Sequence, residues 1–159
     1  PMDFLGVNYY TRSVVSADGS WDVKNSGKAL TDMGWEVFPQ ALTQHLVRIT
    51  REYAPPPLFI TENGMANADT LINERVADTP RVDYLRWHLE AVAKAIELGA
   101  DVRGYFYWSL LDNFEWDSGY TKRFGMVHVD YLTQRRVLKD SAHWYRNFIR
   151  EHAASTQGA

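Results

Sequence analysis

Three short apolar segments, each leading into a polar loop and then an amphipathic helix, constrain the fold of this 159-residue chain most strongly. The segments begin at Phe4, Leu58 and Val102, and their β-branched and aromatic residues favour strands. Strands that alternate with helices at this spacing predict a parallel sheet with crossover connections. Each strand is apolar throughout, as in a sheet covered on both faces. The predicted helices run from Pro39 to Tyr53, from a Thr79 cap to about Gly99, and from Asp140 to about His152.

Two architectures fit such a sheet, an open doubly wound sheet and part of a (β/α)8 barrel. No Gly-x-Gly-x-x-Gly pattern follows any of the strands, which argues against a nucleotide-binding open sheet. The polar residues instead collect at the carboxyl ends of the strands, where barrel enzymes hold their chemistry. They are Asn8, Tyr10, Glu62, Asn113 and Glu115. These observations favour a partial barrel, because three strands cannot close one and a complete barrel needs roughly 250 residues.

The rest of the chain predicts a short hairpin and a tail. One strand is expected from Phe124 to Val129, paired with another near Arg136 to Leu138. We expect residues 1–152 to belong to a single domain and residues 153–159 to form a frayed tail. The chain starts with Pro1, almost inside a strand, so we also expect further protein upstream.

Composition argues against several classes of function. The 17 basic and 20 acidic residues are spread along the chain and leave a net charge of −3, which does not fit a nucleic-acid-binding surface. No apolar run approaches the roughly 20 residues of a membrane helix. Cysteine is absent, and the 5 histidines lack the spacing of metal ligands. We therefore expect no metal, no cofactor, no nucleic acid and no membrane contact. The absence of cysteine leaves the compartment open, and a cytoplasmic location is the expectation.

The stretch 104–116 indicates a binding site. Aromatic residues from Tyr105 to Trp108 lead into a loop with carboxylate and amide side chains and a second tryptophan. Aromatic rings cover the apolar face of a pyranose, and carboxylates or amides bind its hydroxyls. The alternative is a buried strand followed by an ordinary turn. Glu115 and Trp116 lie past the strand, where a core would not place them, so the stretch favours a sugar site.

Glu62 is the strongest candidate for chemistry. It directly follows an apolar strand, and a carboxylate there is costly to bury unless it is paired or functional. The alternative is a turn residue beside Asn63-Gly64, a pair that favours a tight turn. Tyr10, at the end of the neighbouring strand, would donate a hydrogen bond to this carboxylate and favour its charged form. Taken alone, Tyr10 also fits an ordinary core tyrosine.

Six motifs then stand in order along the chain. They are Asp3-Phe-Leu-Gly-Val-Asn-Tyr-Tyr-Thr11, Met33-Gly-Trp-Glu36, Ile60-Thr-Glu-Asn-Gly64, Tyr107-Trp-Ser-Leu-Leu-Asp-Asn-Phe-Glu-Trp116, Arg123-Phe-Gly125 and Lys139-Asp-Ser-Ala142. Together they resemble the C-terminal part of glycoside hydrolase family 1, the β-glucosidase family, over about residues 2–150. The resemblance implies a (β/α)8 barrel of a retaining β-glycosidase, of which this chain would hold the sixth, seventh and eighth strands with their helices.

The resemblance also implies catalytic roles. Glu62 would be the nucleophile that attacks the anomeric carbon and forms a glycosyl-enzyme intermediate. Tyr10 would orient and stabilise its carboxylate, with Asn8 beside them.

The same resemblance implies how the sugar is held. Trp108 would lie beneath the ring, Glu115 would bind hydroxyls 4 and 6, and Trp116 would bind hydroxyl 3. Phe124 would close around carbon 6, and Trp35 would line the leaving-group side. A carboxylate facing hydroxyl 6 repels a 6-phosphate, so glucosides, galactosides or fucosides are expected rather than phosphorylated sugars.

The chain departs from the family in one respect that affects function. A retaining glycosidase uses two carboxyl groups roughly 5–5.5 Å apart, and the family's acid/base lies in an Asn-Glu-Pro motif that is absent here. Asn73-Glu74-Arg75 does not match it. The Gln, His and Arg of the family's early strands are absent too. We therefore expect an N-terminal portion of the barrel, as a second chain, to complete the site, unless the chain is a fragment of a longer enzyme. The alternatives are a sugar-binding module without catalysis and a half-barrel that pairs with itself and has no activity.

Overall fold

The computed structural model describes residues 2–19 and 29–156 of the chain, with side chains to residue 153. The elements follow in the order β1 (Leu5–Asn8), α1 (Pro39–Tyr53), β2 (Leu58–Asn63), α2 (Thr79–Glu97), β3 (Val102–Tyr107), a 3-10 turn (Trp116–Ser118), β4 (Val127–Val129), β5 (Arg136–Leu138) and α3 (Asp140–Thr156). The predicted alternation of strands and helices is therefore confirmed. Among the described residues, no helix is both long and apolar enough to cross a bilayer.

The first three strands form one sheet in the order β1-β2-β3, and both pairings are parallel, as predicted. β4 and β5 form a separate antiparallel pair. The register of the parallel sheet shifts between Val7 and Asn8 on β1 and between Ile60 and Asn63 on β2. Irregularities of this kind redirect side chains at the end of a strand. Both of them fall beside Glu62.

One face of the sheet packs against the helices. Val7 and Ile60 contact Leu42 and Leu46 of α1 in a buried core that also takes in α2. On the other face, Phe4 and Phe106 are 52% and 57% exposed. Thus the expectation of a sheet covered on both faces does not hold within the described part of the chain, although the strands are apolar on both sides.

Three local boundaries differ from the sequence prediction. Asp78, not Thr79, occupies the cap position of α2, and its carboxylate binds Arg81 and Ser141. β4 begins at Val127 and not near Phe124, which packs among other rings. α3 extends to Thr156, past the predicted end near His152. Residues 157–159 of the predicted tail lie outside the described residues.

The buried face of α2 is more polar than its apolar periodicity predicts. Leu85 and Val92 are buried, but Arg81 and His88 are fully buried beside them. Ile96, at helical spacing from Val92, is 48% exposed. Because the buried polar groups of this face bind side chains in distant loops, the helix holds those loops as well as the core.

Candidate active site

The candidate site is built on the carboxyl end of β2, where Glu62 lies half-buried. Regular alternation would turn Glu62 to the same side as Ile60, towards the helices. The irregular register, in which Asn8 pairs with Glu62 instead of Thr61, interrupts that alternation. The carboxylate lies instead beside the residues that follow β1. The local backbone therefore sets the position of this side chain.

Tyr10 and Glu62 are in direct contact, as the sequence predicts. The Tyr10 hydroxyl donates a hydrogen bond to Glu62 Oε2 at 2.6 Å. Burial, followed by this hydrogen bond and the Glu62 charge, raises the pKa of Tyr10 well above its usual range. The phenol therefore stays protonated and remains a donor to the carboxylate. A charge-assisted bond of this length fixes one oxygen of Glu62 and leaves the other for a reacting atom.

Asn8 lies beside this pair. Its Oδ1 accepts a hydrogen bond from the Thr61 hydroxyl at 2.7 Å, and its backbone pairs with Glu62 across the two strands. The amide thus lies at the end of β1, next to the strand end that carries the carboxylate.

Gly64 allows Trp108 to approach the same strand end. A Cβ at Gly64 would lie 1.9 Å from the Trp108 carbonyl oxygen, so no other residue fits there without a backbone shift. The Trp108 amide also donates to the Asn63 carbonyl at 2.9 Å. The peptide bond from Trp108 to Ser109 is cis. The Asn63-Gly64 pair is therefore no tight turn: Asn63 ends β2, and Gly64 provides room for the tryptophan.

Trp108 faces an open groove of about 610 Å³ on the uncovered side of the sheet. The groove is lined chiefly by aromatic residues, among them Phe4, Phe59 and Phe106, and Thr61 also lines it. Trp108 is 36% exposed at this groove.

Tyr10 is also part of an aromatic cluster with Trp35 and Phe124. Its ring lies 5.5 Å from Trp35 and 6.1 Å from Phe124, both edge to face, and the latter two rings are 6.1 Å apart. Phe124 is only 2% exposed. It lies behind the Tyr10 and Trp35 rings and offers no open face, which the sequence alone did not indicate.

Glu115 and Trp116 lie in the loop after β3. Burial, then the charges of Asp117 and Glu62, raise the pKa of Glu115. Trp116 is 81% exposed with a φ of 40°, and its indole lies largely in solvent. The predicted residues thus share one end of the sheet, with Trp116 at its outer margin.

Unlike the other polar residues of this loop, Asp112 is shielded from solvent. It is 4% exposed, and its carboxylate accepts bonds from Lys139 and Arg123. Sequence reasoning did not identify Lys139 as more than part of a motif. The sequence offered one signal, which is the position of Lys139 next to the start of α3. The lysine side chain had no obvious role at the surface there.

Across the described ranges, no cluster of three or more histidine, aspartate or glutamate side chains is arranged to hold a metal ion. The chemistry that the described residues offer is that of a carboxylate held by a phenol, beside aromatic faces and a second carboxylate.

Comparisons with known proteins place these features in a family context. The sequence model of Glycosyl hydrolase family 1 matches residues 1–154. A bifunctional beta-D-glucosidase/beta-D-fucosidase of Bifidobacterium breve is 48% identical over 97% of this chain and 38% of its own length. A 6-phospho-beta-galactosidase of Streptococcus equi subsp. zooepidemicus is 39% identical over 91% of this chain and 36% of its own length.

Solved structures agree with the sequence comparisons. A family 1 b-glucosidase from Thermotoga maritima superposes with a TM-score of 0.90 at 45% identity, covering 94% of this chain and 35% of that one. The same match holds for its complex with isofagomine lactam. The chain therefore spans little more than a third of the length of the relatives that it matches.

Proposed function

The chain belongs to glycosyl hydrolase family 1, and from that premise we propose that it supplies the nucleophile and much of the sugar pocket of a retaining β-glycosidase. The observation that carries the proposal is the 2.6 Å bond from Tyr10 to Glu62 at the end of a parallel strand. It holds one carboxylate oxygen in place at the strand end that Trp108 approaches across Gly64. Covalent attack on a sugar requires a carboxylate that is held in one orientation, next to an aromatic face that positions the ring.

In the first step, Glu62 attacks the anomeric carbon of a β-glycoside. The new bond forms from the free carboxylate oxygen while the bond to the leaving-group oxygen breaks, and a general acid protonates that oxygen. The Tyr10 hydroxyl stays bonded to the other oxygen and holds the carboxylate in line. The acid belongs to the N-terminal portion of the barrel, because no Asn-Glu-Pro motif occurs in this chain.

In the second step, water attacks the anomeric carbon of the glycosyl ester. The former acid, now a base, takes the proton of that water, and the ester bond to Glu62 breaks. Two displacements at one carbon return the sugar with its original β configuration. Glu62 is then a free carboxylate again, with Tyr10 still donating to it.

The sugar is held between Trp108 and the loop that carries Glu115. Trp108 covers the apolar face of the ring, Glu115 binds hydroxyls 4 and 6, and Trp116 binds hydroxyl 3. Asn8 lies beside the nucleophile, Trp35 lines the leaving-group side, and Phe124 backs the wall near carbon 6. The substrates are unphosphorylated glucosides, galactosides or fucosides, since the Glu115 charge repels a 6-phosphate.

The three parallel strands correspond to the sixth, seventh and eighth of a (β/α)8 barrel. The numbering follows the resemblance of the motifs, and two features support a partial barrel: relatives about three times as long, and a sheet with one exposed face. An N-terminal portion carrying the other strands, supplied as a second chain, covers that face and completes the site.

The test is mechanism-based labelling of the chain completed by an N-terminal portion of a family 1 enzyme. A 2-deoxy-2-fluoro β-glucoside with a good leaving group should form a stable ester at Glu62, located by peptide mapping. A Glu62→Gln variant should lose turnover by several orders of magnitude, roughly as other nucleophile deletions do. Glu97→Gln, at an exposed glutamate of α2, serves as the matched control.

A label on another residue would overturn the assignment of Glu62. Sugar binding without turnover or labelling would instead support the non-catalytic binding module.

A further inference from the structure

We propose that Lys139 is a positioning residue, whose buried ammonium couples the loop after β2 to the loop that carries Glu115. The inference depends on the proposed function in one respect, which is that Glu115 binds the sugar. The coupling itself depends on contacts within this chain.

Lys139 lies between β5 and α3 and is fully buried. Its Nζ donates to Asp69 Oδ2 at 2.5 Å and to Asp112 Oδ1 at 2.8 Å. Asp69 belongs to the loop after β2, and Asp112 to the loop after β3. One ammonium group therefore joins the two loops that leave the strands of the candidate site.

Asp112 is the point at which the loop after β3 is held. Besides Lys139, it accepts from Arg123 Nη1 at 2.6 Å and from the Gly125 amide at 3.0 Å. Arg123 and Gly125 flank Phe124, so both neighbours of that ring bind the same carboxylate. A Cβ at Gly125 would lie 2.1 Å from the Asp112 amide nitrogen, which shows how closely the two backbones approach.

Asp69 ties the same network to α2. It accepts two bonds from Arg81, at 3.2 and 2.7 Å, in addition to the bond from Lys139. Arg81, itself fully buried, binds Asp78 and donates to the Arg123 carbonyl at 2.8 Å. The network therefore closes on itself through the residue that precedes Phe124.

The charges of the network balance. Three aspartates face three cations, with side chains buried except for part of Arg123. They are Asp69, Asp78, Asp112, Arg81, Arg123 and Lys139. Removing one buried partner leaves an uncompensated charge, which strongly favours rearrangement of the surrounding loop. Such a network has few alternative arrangements, so it gives the loops one relative position.

Glu115 follows Asp112 closely in the same loop, and its amide bonds the Gly119 carbonyl at 2.7 Å. The position of its carboxylate relative to Glu62 thus depends on where Asp112 is held. Lys139 contacts neither the sugar nor the nucleophile in this arrangement. It acts through the loop.

The test is a double-mutant cycle between Lys139→Met and Glu115→Ala in the chain completed by an N-terminal portion. Lys139→Met should lower kcat/KM for a nitrophenyl β-glucoside about 10- to 100-fold, and by less than about threefold when Glu115 is already alanine. Lys139→Met should lower the free energy of unfolding by the same amount in both backgrounds, because this loss does not depend on Glu115. Lys94→Met, at an exposed lysine of α2 paired with Glu97, is the matched control and should change neither quantity.

A second measurement separates this inference from the proposed function. In the chain completed by an N-terminal portion, hydrogen exchange at the amides of Asp112, Glu115 and Val127 should be faster in Lys139→Met than in the parent, while exchange in α1 stays the same. These amides bond the Val127, Gly119 and Leu110 carbonyls within the held segment. This result would support the coupling even if the completed protein hydrolysed no glycoside.

Additive effects in the cycle, or unchanged exchange in the loop after β3, would overturn the inference. Should Lys139→Met fail to fold, Asp69→Asn carries the same test, since it keeps the shape of the side chain and removes one charge of the bridge.

Discussion

At the scale of single residues, the site depends on how one carboxylate is held. Tyr10 donates to Glu62 from the neighbouring strand, and the raised pKa of its phenol keeps the donor protonated. Glu115 has a raised pKa because of burial and of the nearby charges of Asp117 and Glu62. In the proposed function, Glu62 is the reactive group and Glu115 is the group that selects the substrate.

Tyr10→Phe tests the orienting bond. A hydrogen bond to a charged group contributes about 1.5–3 kcal/mol, so kcat of the completed enzyme should fall about 10- to 100-fold. The aromatic contacts with Trp35 and Phe124 remain in the variant, and stability should change little. Steady-state kinetics on a nitrophenyl β-glucoside gives kcat and KM separately. The control is Tyr53→Phe at a phenol that is 70% exposed; a Tyr10→Phe variant with the parent's kcat would exclude the orienting role.

Glu115→Ala tests the selection of the sugar. Contacts to hydroxyls strengthen as the ring flattens, so kcat/KM for a plain glucoside should fall about 100-fold. The preference for that substrate over its 6-phosphate should shrink, because the repelling charge is gone. Parallel assays with both substrates, using Glu151→Ala as an exposed control, measure the ratio. If the parent already cleaves the 6-phosphate faster, the argument from charge is wrong.

At the scale of elements, α2 does more than cover the sheet. Its buried face carries Tyr84, whose hydroxyl donates to the Tyr10 carbonyl at 3.0 Å and accepts from the Asn63 amide at 3.0 Å. Tyr10 bonds the Glu62 carboxylate, and Asn63 follows Glu62 at the end of β2. His88 stacks on the Tyr84 ring at 3.8 Å, one turn along the helix. The helix thus supports the site through a tyrosine whose ring rests on a buried histidine.

His88 gives α2 a predicted dependence on pH. Its Nδ1–H donates to the Tyr84 carbonyl, and among the described residues its Nε2 has no hydrogen-bond partner. Burial, opposed by that bond, lowers the pKa of His88 from 6.5 to about 4. The unfolded chain therefore binds a proton between about pH 6.5 and 4 that the folded chain does not, and stability falls as the pH falls through this window.

The expected loss from His88 between pH 7 and 4 is about 3 kcal/mol of unfolding free energy. A His88→Phe variant, which keeps a ring on Tyr84, should show a flatter decline over the same window. Urea unfolding at a series of pH values measures both. His45→Gln, at an exposed histidine of α1, should follow the parent, and equal slopes for parent and His88→Phe would contradict the prediction.

At the scale of the whole molecule, the described sheet has two open edges, β1 and β3, and one uncovered apolar face. Phe4, Phe106 and Leu110 are more than half exposed on or beside that face. Apolar surfaces and unpaired strand edges of this kind promote association. The surface area that a (β/α)8 barrel encloses is here exposed to solvent.

We therefore expect the isolated 159-residue chain to associate in solution and to be inactive on aryl glucosides. Adding an N-terminal chain with the remaining strands should restore activity and yield a defined complex by size-exclusion chromatography. The assay is hydrolysis of a nitrophenyl β-glucoside by each chain alone and by the mixture. Activity of the pure lone chain that disappears in Glu62→Gln would contradict the prediction, and would show that three strands assemble a working site by pairing with themselves.

The sequence by itself determined the types and most bounds of the elements. Strand and helix periodicities, the proline run after Tyr53 and the glycine after α2 are local signals, and the structure follows them closely. It also determined that Glu62 comes at a strand end, and since neighbouring parallel strands end at one edge, that Tyr10 lies near it.

Only the tertiary structure decided which polar groups face outwards and which are buried. In the sequence, Asp112 is one polar loop residue among several. In the structure, its carboxylate is buried and accepts a hydrogen bond from Lys139, 27 positions away. Asp69 meets the same lysine across 70 positions. A charge is buried only where opposite charges and donors converge on it, and that convergence comes from parts of the chain that no local pattern relates. For the same reason the sequence left a tight turn at Asn63-Gly64 open as an alternative, whereas folding brings the Trp108 carbonyl against the Gly64 backbone.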